Sequence, residues 1–253
     1  MKRVLVTGAN GQLGLALQAA QNACPTLDIV FVGKKELDIT DPNALQTYFT
    51  KHRFEVCINT AAYTDVDAAE KDKDAAFAIN ATAVETLAKV CKQHGCWLLH
   101  ISTDYVFDGT LDRAYAPSDT PNPLNVYGAS KLAGEQAIHA VSGTYSIVRT
   151  SWLYSQYGNN FYTRLQAQLD AGKTLRVTAD QHGCPTRAED LAAHLLTGIA
   201  NQQLPKGISH YCGNEIMTWL DLARRLFPKQ KVLKWVGENS PTTRPKKVVL
   251  KKL

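Results

Sequence analysis

The feature that most constrains the fold lies at the very start of the chain. A short apolar run, Arg3 to Thr7, passes into Gly8-Ala9-Asn10-Gly11-Gln12-Leu13-Gly14. A stretch with helical spacing, Gln12 to Gln21, comes directly after it. A buried strand that ends in spaced glycines and opens a helix is the beginning of a βαβ unit. The spacing is G-x-x-G-x-x-G, not the commoner G-x-G-x-x-G, but the physics is shared. Gly8 permits a tight turn, Gly11 lets backbone approach a pyrophosphate, and Gly14 lets the helix pack on the strand. The helix N-terminus then turns free N–H groups and partial positive charge towards phosphate. The plain alternative is a glycine turn that binds nothing.

The order of elements supports the dinucleotide reading. Strands are expected at 29–32, 55–59, 97–101 and 144–149. Helices are expected from Asp41-Pro42 (Asp as cap, Pro in the first turn), over 65–94 in one or two pieces closed by His94-Gly95, and over 125–141. Strands alternating with helices pair in parallel, with helices on both faces, so the fold class is an α/β doubly wound sheet. Past residue 150 the rhythm loosens. Helices are expected at 160–171, 187–200 and 218–227, with short strands near 174–177, 208–212 and 231–236. Residues 1–150 read as the dinucleotide-binding core. Residues 151–253 read mostly as a small substrate-binding cap, with some segments returning to the core.

Composition excludes several classes. Apolar residues make up 45% of the 253 and charged residues 20%, so neither disorder nor a collagen-like repeat fits. No apolar run reaches the ~20 residues of a membrane span, and no signal peptide is read, so a cytoplasmic location is expected. The net charge is +5, but residues 229–253 alone sum to +7, leaving the body at −2. That segment reads as a solvated, partly frayed tail, or alternatively as a basic rim for a phosphorylated small molecule. A nucleic-acid partner is not indicated. Six cysteines (24, 57, 91, 96, 184, 212) form no C-x-x-C and no zinc spacing. They read as buried free thiols.

Cofactor choice depends on the residues just after the second strand. An acid there would bind the ribose 2′-hydroxyl of NAD. This chain has Gly33-Lys34-Lys35, two cations able to meet a 2′-phosphate, so NADPH is expected, with NADH as the alternative. Two solvated lysines are the competing reading.

Tyr127-Gly128-Ala129-Ser130-Lys131 is Y-x-x-x-K, which puts a phenol and an ammonium on one helix face. It comes after a strand ending in Ser102-Thr103-Asp104-Tyr105. Hydride addition to a ketone leaves charge on oxygen that must be protonated as it forms. Tyrosine's ordinary pKa, about 10, is high for that task, and a neighbouring ammonium would lower it. Tyr127 is thus the expected general acid. Lys131 would tune it and grip the nicotinamide ribose, and Thr103 would hydrogen-bond the substrate oxygen.

The motifs together resemble the extended short-chain dehydrogenase/reductases, and within them the dTDP-4-dehydrorhamnose reductases. The resemblance is carried by residues 6–14, 37–41, 59–67, 102–109, 127–135, 149–152 and 180–186. It implies a Rossmann-type core and reduction of the 4-keto group of a dTDP-linked 6-deoxysugar, giving dTDP-L-rhamnose. It implies that Thr103, Tyr127 and Lys131 are catalytic. Gly11, Gln12 and Leu13 would line the pyrophosphate on the turn that Gly8 and Gly14 shape, Asp38 and Ile39 the adenine, and Ala61, Ala62, Tyr63 and Thr64, with Tyr127 and Lys131, the rest of the cofactor. Thr103, Asp104 and Trp152 would touch the sugar; Trp152 also has a packing reading. Related dehydratases carry Asp-Glu after the strand-end threonine. Here it is Asp104-Tyr105, which favours reduction over dehydration.

The chain departs from the family where Arg244-Pro245-Lys246-Lys247-Val248 replaces a polar pair with Lys and Val. The alternatives are therefore a reductase or epimerase of another nucleotide-sugar, or a non-catalytic dinucleotide-binding regulatory subunit. A homodimer is the assembly considered. No metal ligand set is read, and Mg2+ at Glu189 and Asp190 is an idea that their spacing does not require.

Overall fold

The computed structural model describes residues 1–235 and 242–252. The expected strand near 231–236 therefore ends in part outside the described residues. The core strands are β1 (Lys2–Thr7), β2 (Leu27–Val32), β3 (Val56–Asn59), β4 (Trp97–Thr103), β5 (Tyr145–Thr150) and β10 (Gly207–His210). They make one sheet in the order β10-β5-β4-β3-β1-β2, with all neighbours parallel. The chain order along this sheet reverses beside β1, and in such sheets ligands bind at that point, outside the carboxyl ends of the strands.

Alternation along the strands divides the core into two layers. Val4, Val6, Ile58, Leu99 and Val148 face α1 (Gln12–Ala20) and α8 (Ala188–Ala200). Leu5, Cys57, Leu98 and Ile147 face α2 (Pro42–Lys51), α5 (Ala83–Gln93) and α6 (Val126–Val141). Both layers are buried, as parallel strands require. All six cysteines are free and buried. No helix among the described residues is long and apolar enough to cross a membrane.

The expected 65–94 helix is broken into α3 (Val66–Lys71), α4 (Lys73–Phe77) and α5, with a wider π-type turn over Ala78–Thr82. Asp65 and Asp72 each cap a new start with a side-chain oxygen, which is why a run that reads as one or two helices folds as three. The second half supplies β6 (Leu153–Tyr154), α7 (Phe161–Asp170), β7 (Leu175–Val177), β8 (His182–Gly183), β9 (Thr186–Arg187), β11 (Met217–Thr218), α9 (Trp219–Leu226) and β12 (Val232–Lys234). α7, β7, α9 and β12 share a separate small core built on Leu165, Leu175, Leu220 and Phe227, whereas α8 and β10 belong to the main body.

The basic tail is not frayed over 242–252. Val248 and Leu250 are buried with Phe107, Tyr115 and Cys212. Tyr115 and Leu250 form a parallel bridge, as do His182 and Lys247. Two apolar side chains spaced two apart hold this segment down, while Lys246, Lys247, Lys251 and Lys252 remain exposed. Charge counting overlooks the apolar residues between the lysines.

Candidate active site

At their carboxyl ends the central strands exchange apolar residues for polar ones. On the α6 side, Thr7, Asn59, His100, Ser102 and Arg149 succeed Leu5, Cys57, Leu98 and Ile147, and all five are buried. Polar groups at such depth must find partners.

The glycine turn closes first. Gly8 sits at φ +72°, and a Cβ there would meet the Ala61 backbone nitrogen at 2.6 Å. A Cβ on Gly14 would lie 2.5 Å from the Gly8 carbonyl. The turn is therefore pressed against both its own helix and the start of the Ala61–Thr64 loop. Gly11 caps α1 with backbone alone, and the first turn of that helix carries no acid. By contrast, α2, α6, α7 and α9 are capped by Asp41, Asn125, Asn160 and Thr218 side chains. Open N–H groups on a close-packed glycine turn fit a dinucleotide pyrophosphate.

A buried polar row crosses the sheet beside this turn. Thr7 Oγ1 donates to Asn59 Oδ1 at 2.7 Å, and Asn59 Nδ2 lies 3.1 Å from His100 Nδ1. His100 Nε2 lies 3.2 Å from Lys131 Nζ, which donates to the Ile101 carbonyl at 2.7 Å. Burial lowers the Lys131 pKa to about 8, with Glu135 opposing.

Tyr127 stands one turn earlier on α6. Its ring meets Tyr105 edge to face at 5.7 Å. Burial, the largest influence, pushes the phenol above its ordinary pKa, and a hydrogen bond with Thr103 acts the other way. The expectation that Lys131 acidifies this phenol is not met here. Lys131 satisfies its nitrogen on β4, and burial governs the tyrosine instead. The expected Thr103–Tyr127 meeting does occur. It depends on Gly128, where any Cβ would clash with the Tyr105 carbonyl.

Asp104 extends the site. Its carboxylate accepts from Ser151 Oγ at 2.7 Å and from Thr103 Oγ1 at 3.2 Å, and burial raises its pKa to about 6. Ser151 ties Asp104 to Trp152, which occupies φ +46°, a strained conformation for a bulky residue. The Trp152 ring stacks on Trp219 at 3.6 Å, and a Cβ on Gly183 would fall 2.6 Å from the indole. The packing reading of Trp152 is therefore met. Asp38 accepts from Thr40 and lies 3.6 Å from Lys34 Nζ, while Ile39 is buried at the core edge.

Several residues of this region escaped sequence reasoning. Asn80, in the π-type turn, accepts from Tyr63 N and donates to Tyr63 O, both at 2.9 Å, and reaches Ser130 Oγ at 3.0 Å. It thereby pins the cofactor loop to α6. An Asn inside an apolar helical run was the available signal. Arg244 pairs with Asp67 at 2.9 Å and acts on Tyr105. A cavity of about 230 Å³ lined by Tyr154, Arg187, Tyr211 and Arg225 holds none of Thr103, Asp104, Tyr127 or Lys131. Among the described residues no group of three or more His, Cys, Asp or Glu could hold a metal.

A parallel sheet with an open glycine turn, and a threonine, tyrosine and lysine gathered at the same edge, defines a short-chain dehydrogenase/reductase, a nicotinamide-dependent oxidoreductase. Within that class the chain belongs to the dTDP-4-dehydrorhamnose reductase family. The model for the family "RmlD substrate binding domain" matches residues 1–251. The chain is 38% identical over 231 residues to the dTDP-4-dehydrorhamnose reductase of Sinorhizobium fredii, covering 89% of this chain and 77% of that one. It is also 38% identical over 226 residues to a dTDP-4-keto-6-deoxy-D-glucose reductase of Streptomyces niveus, covering 89% and 77%. The crystal structure of a Bacillus anthracis dTDP-4-dehydrorhamnose reductase in complex with NADP superposes with a TM-score of 0.93 at 38% identity, covering 100% of this chain and 92% of that one.

Proposed function

We propose that this protein reduces the 4-keto group of dTDP-4-dehydro-L-rhamnose to give dTDP-L-rhamnose, with NADPH as reductant. The observation that carries the reading is Thr103 at the carboxyl end of β4 acting on the buried Tyr127 phenol of α6, in a sheet whose first strand ends in the open glycine turn. The nicotinamide supplies the hydride when bound. Gly11, Gln12 and Leu13 hold the pyrophosphate on the open N-terminus of α1, with Gly8 and Gly14 shaping the turn. Asp38 and Ile39 flank the adenine, and Ala61 to Thr64 line the rest. The Thr103 hydroxyl orients the carbonyl oxygen, and Tyr127 delivers its proton to that oxygen as charge develops. A buried phenol with a raised pKa stays protonated until the alkoxide forms. Asp104 and Trp152 bound the sugar. The six reduced thiols fit a cytoplasmic enzyme.

The test is nicotinamide absorbance with the keto-sugar for the wild type and Tyr127→Phe. General acid loss lowers kcat by about 10²–10⁴-fold, with cofactor affinity unchanged. Equal turnover by the variant would remove Tyr127 from proton transfer. The Streptomyces niveus relative favours one second reading, a reductase of another dTDP-4-keto sugar. A higher kcat/KM for dTDP-4-keto-6-deoxy-D-glucose than for dTDP-4-dehydro-L-rhamnose would select it.

A further inference from the structure

Donor and acceptor counting along the buried row fixes each proton. The Asn59 amide has only one allowed orientation. Its Oδ1 receives the Ala61 backbone N–H at 3.2 Å as well as the Thr7 hydroxyl, and a backbone N–H can only donate. Asn59 Nδ2 therefore donates to His100 Nδ1, which must be the acceptor nitrogen. A neutral His100 then carries its proton on Nε2, and an imidazolium would set two donors against each other at Nδ1. That Nε2–H points at Lys131 Nζ, 3.2 Å away. An ammonium there would be donor against donor. An uncharged amine fits, because it gives one hydrogen to the Ile101 carbonyl and offers its lone pair to the ring.

We infer that His100 is a positioning residue for the reductase site, its Nε2–H holding the uncharged amine form of Lys131 against β4, the form that prevails once the lysine has lost its proton. On the reductase reading, on which this inference rests, the working lysine is the ammonium beside Tyr127. Lys131 thus takes up one proton from a solvent hydronium as it leaves the ring, its new N–H bond replacing the O–H bond that breaks and releasing water. Strand register builds the device: Thr7 lies opposite Asn59, and Asn59 opposite His100. The charged and titratable neighbours agree. Burial, the largest influence, holds the His100 pKa well below its ordinary value, which keeps the ring neutral. Glu135, on the same helix, is the acid that acts on Lys131, and it is already paired with Arg149.

Two measurements on the full chain without added cofactor decide the matter. Nitrogen-15 spectra of labelled histidine, assigned with His100→Gln, show His100 neutral with its proton on Nε2. A proton on Nδ1, or an imidazolium at pH 7, overturns the inference. Carbon-13 spectra of labelled lysine, assigned with Lys131→Met, show Lys131 titrating near pH 8. An ordinary lysine titration above pH 10 overturns it. Removing the donor in His100→Phe weakens Lys131 as an acid about five- to tenfold. The alkaline limb of kcat/KM for the cofactor moves up with it. His100→Gln, whose amide N–H replaces Nε2–H, keeps the wild-type titration. Identical titrations in the Phe and Gln variants would reduce His100 to a space-filler and overturn the inference. If the wild type fails to reduce the keto-sugar, the proposed function fails, while the two spectra still decide the lysine's state.

Discussion

Glu135 and Arg149 form a buried ion pair, with Arg149 Nη2 2.6 Å from Glu135 Oε2 and the side chains 3% and 2% exposed. Ser102 Oγ donates to the same carboxylate at 2.5 Å, and the Arg149 guanidinium lies over the Phe107 ring at 5.0 Å. The pair joins α6 to β5, and through Ser102 it reaches the residue just before Thr103. It therefore fixes the distance between the helix that carries Tyr127 and the strand end that carries Thr103.

Breaking this pair from one side leaves an uncompensated buried charge. Glu135→Leu or Arg149→Leu alone is expected to cost about 3–5 kcal/mol. The double variant should recover part of that loss, because both charges leave together. Urea unfolding of the two singles and the double measures the coupling. Additive losses would show that the pair acts as two independent residues.

Asp104 should make stability fall with rising pH. Its folded pKa, about 6, lies above the ordinary 3.8. The folded state therefore holds the proton more tightly, and stability declines as pH rises from about 4 through 6. That difference corresponds to about 3 kcal/mol at most. Asp104→Asn is expected to exceed the wild type in stability at pH 8 and to match it near pH 4, while reducing turnover. Unfolding curves at the two pH values test this, and a gap of equal size at both would refute it.

Gly14→Ala forces a methyl against the Gly8 and Ala9 carbonyl oxygens, which are backbone and cannot rotate away. About 1–3 kcal/mol of stability should be lost, with cofactor affinity down at least tenfold as the turn shifts. A nucleotide titration by fluorescence reads the affinity. Unchanged binding would separate the turn from the cofactor.

Lys34 is 78% exposed and stands near Asp38 at the end of β2. Replacing Lys34 and Lys35 with alanine should weaken NADPH about ten- to hundredfold, the worth of one charge-assisted contact, and NADH much less. Equal losses for both nucleotides would make the lysines bystanders.

What the linear chain determined here is local. Periodicity located the alternating strands and helices to within a residue or two. Asp41-Pro42 marked the start of α2, and the glycine spacing announced a turn that only a helix N-terminus could follow. Thr103 and Tyr127 were legible because each sits at a defined end of its own element. Tertiary structure decided whatever depends on register between distant segments. Thr7, Asn59, His100 and Lys131 are separated by 52, 41 and 31 positions. Only pairing β1 with β3 and β3 with β4 aligns them. The packing of α6 on β4 turned Lys131 towards the sheet, and burial raised the Tyr127 pKa where spacing alone predicted a fall. Side-chain spacing describes one face of one element. Proton positions depend on which faces meet, and the packing of the whole sheet settles that.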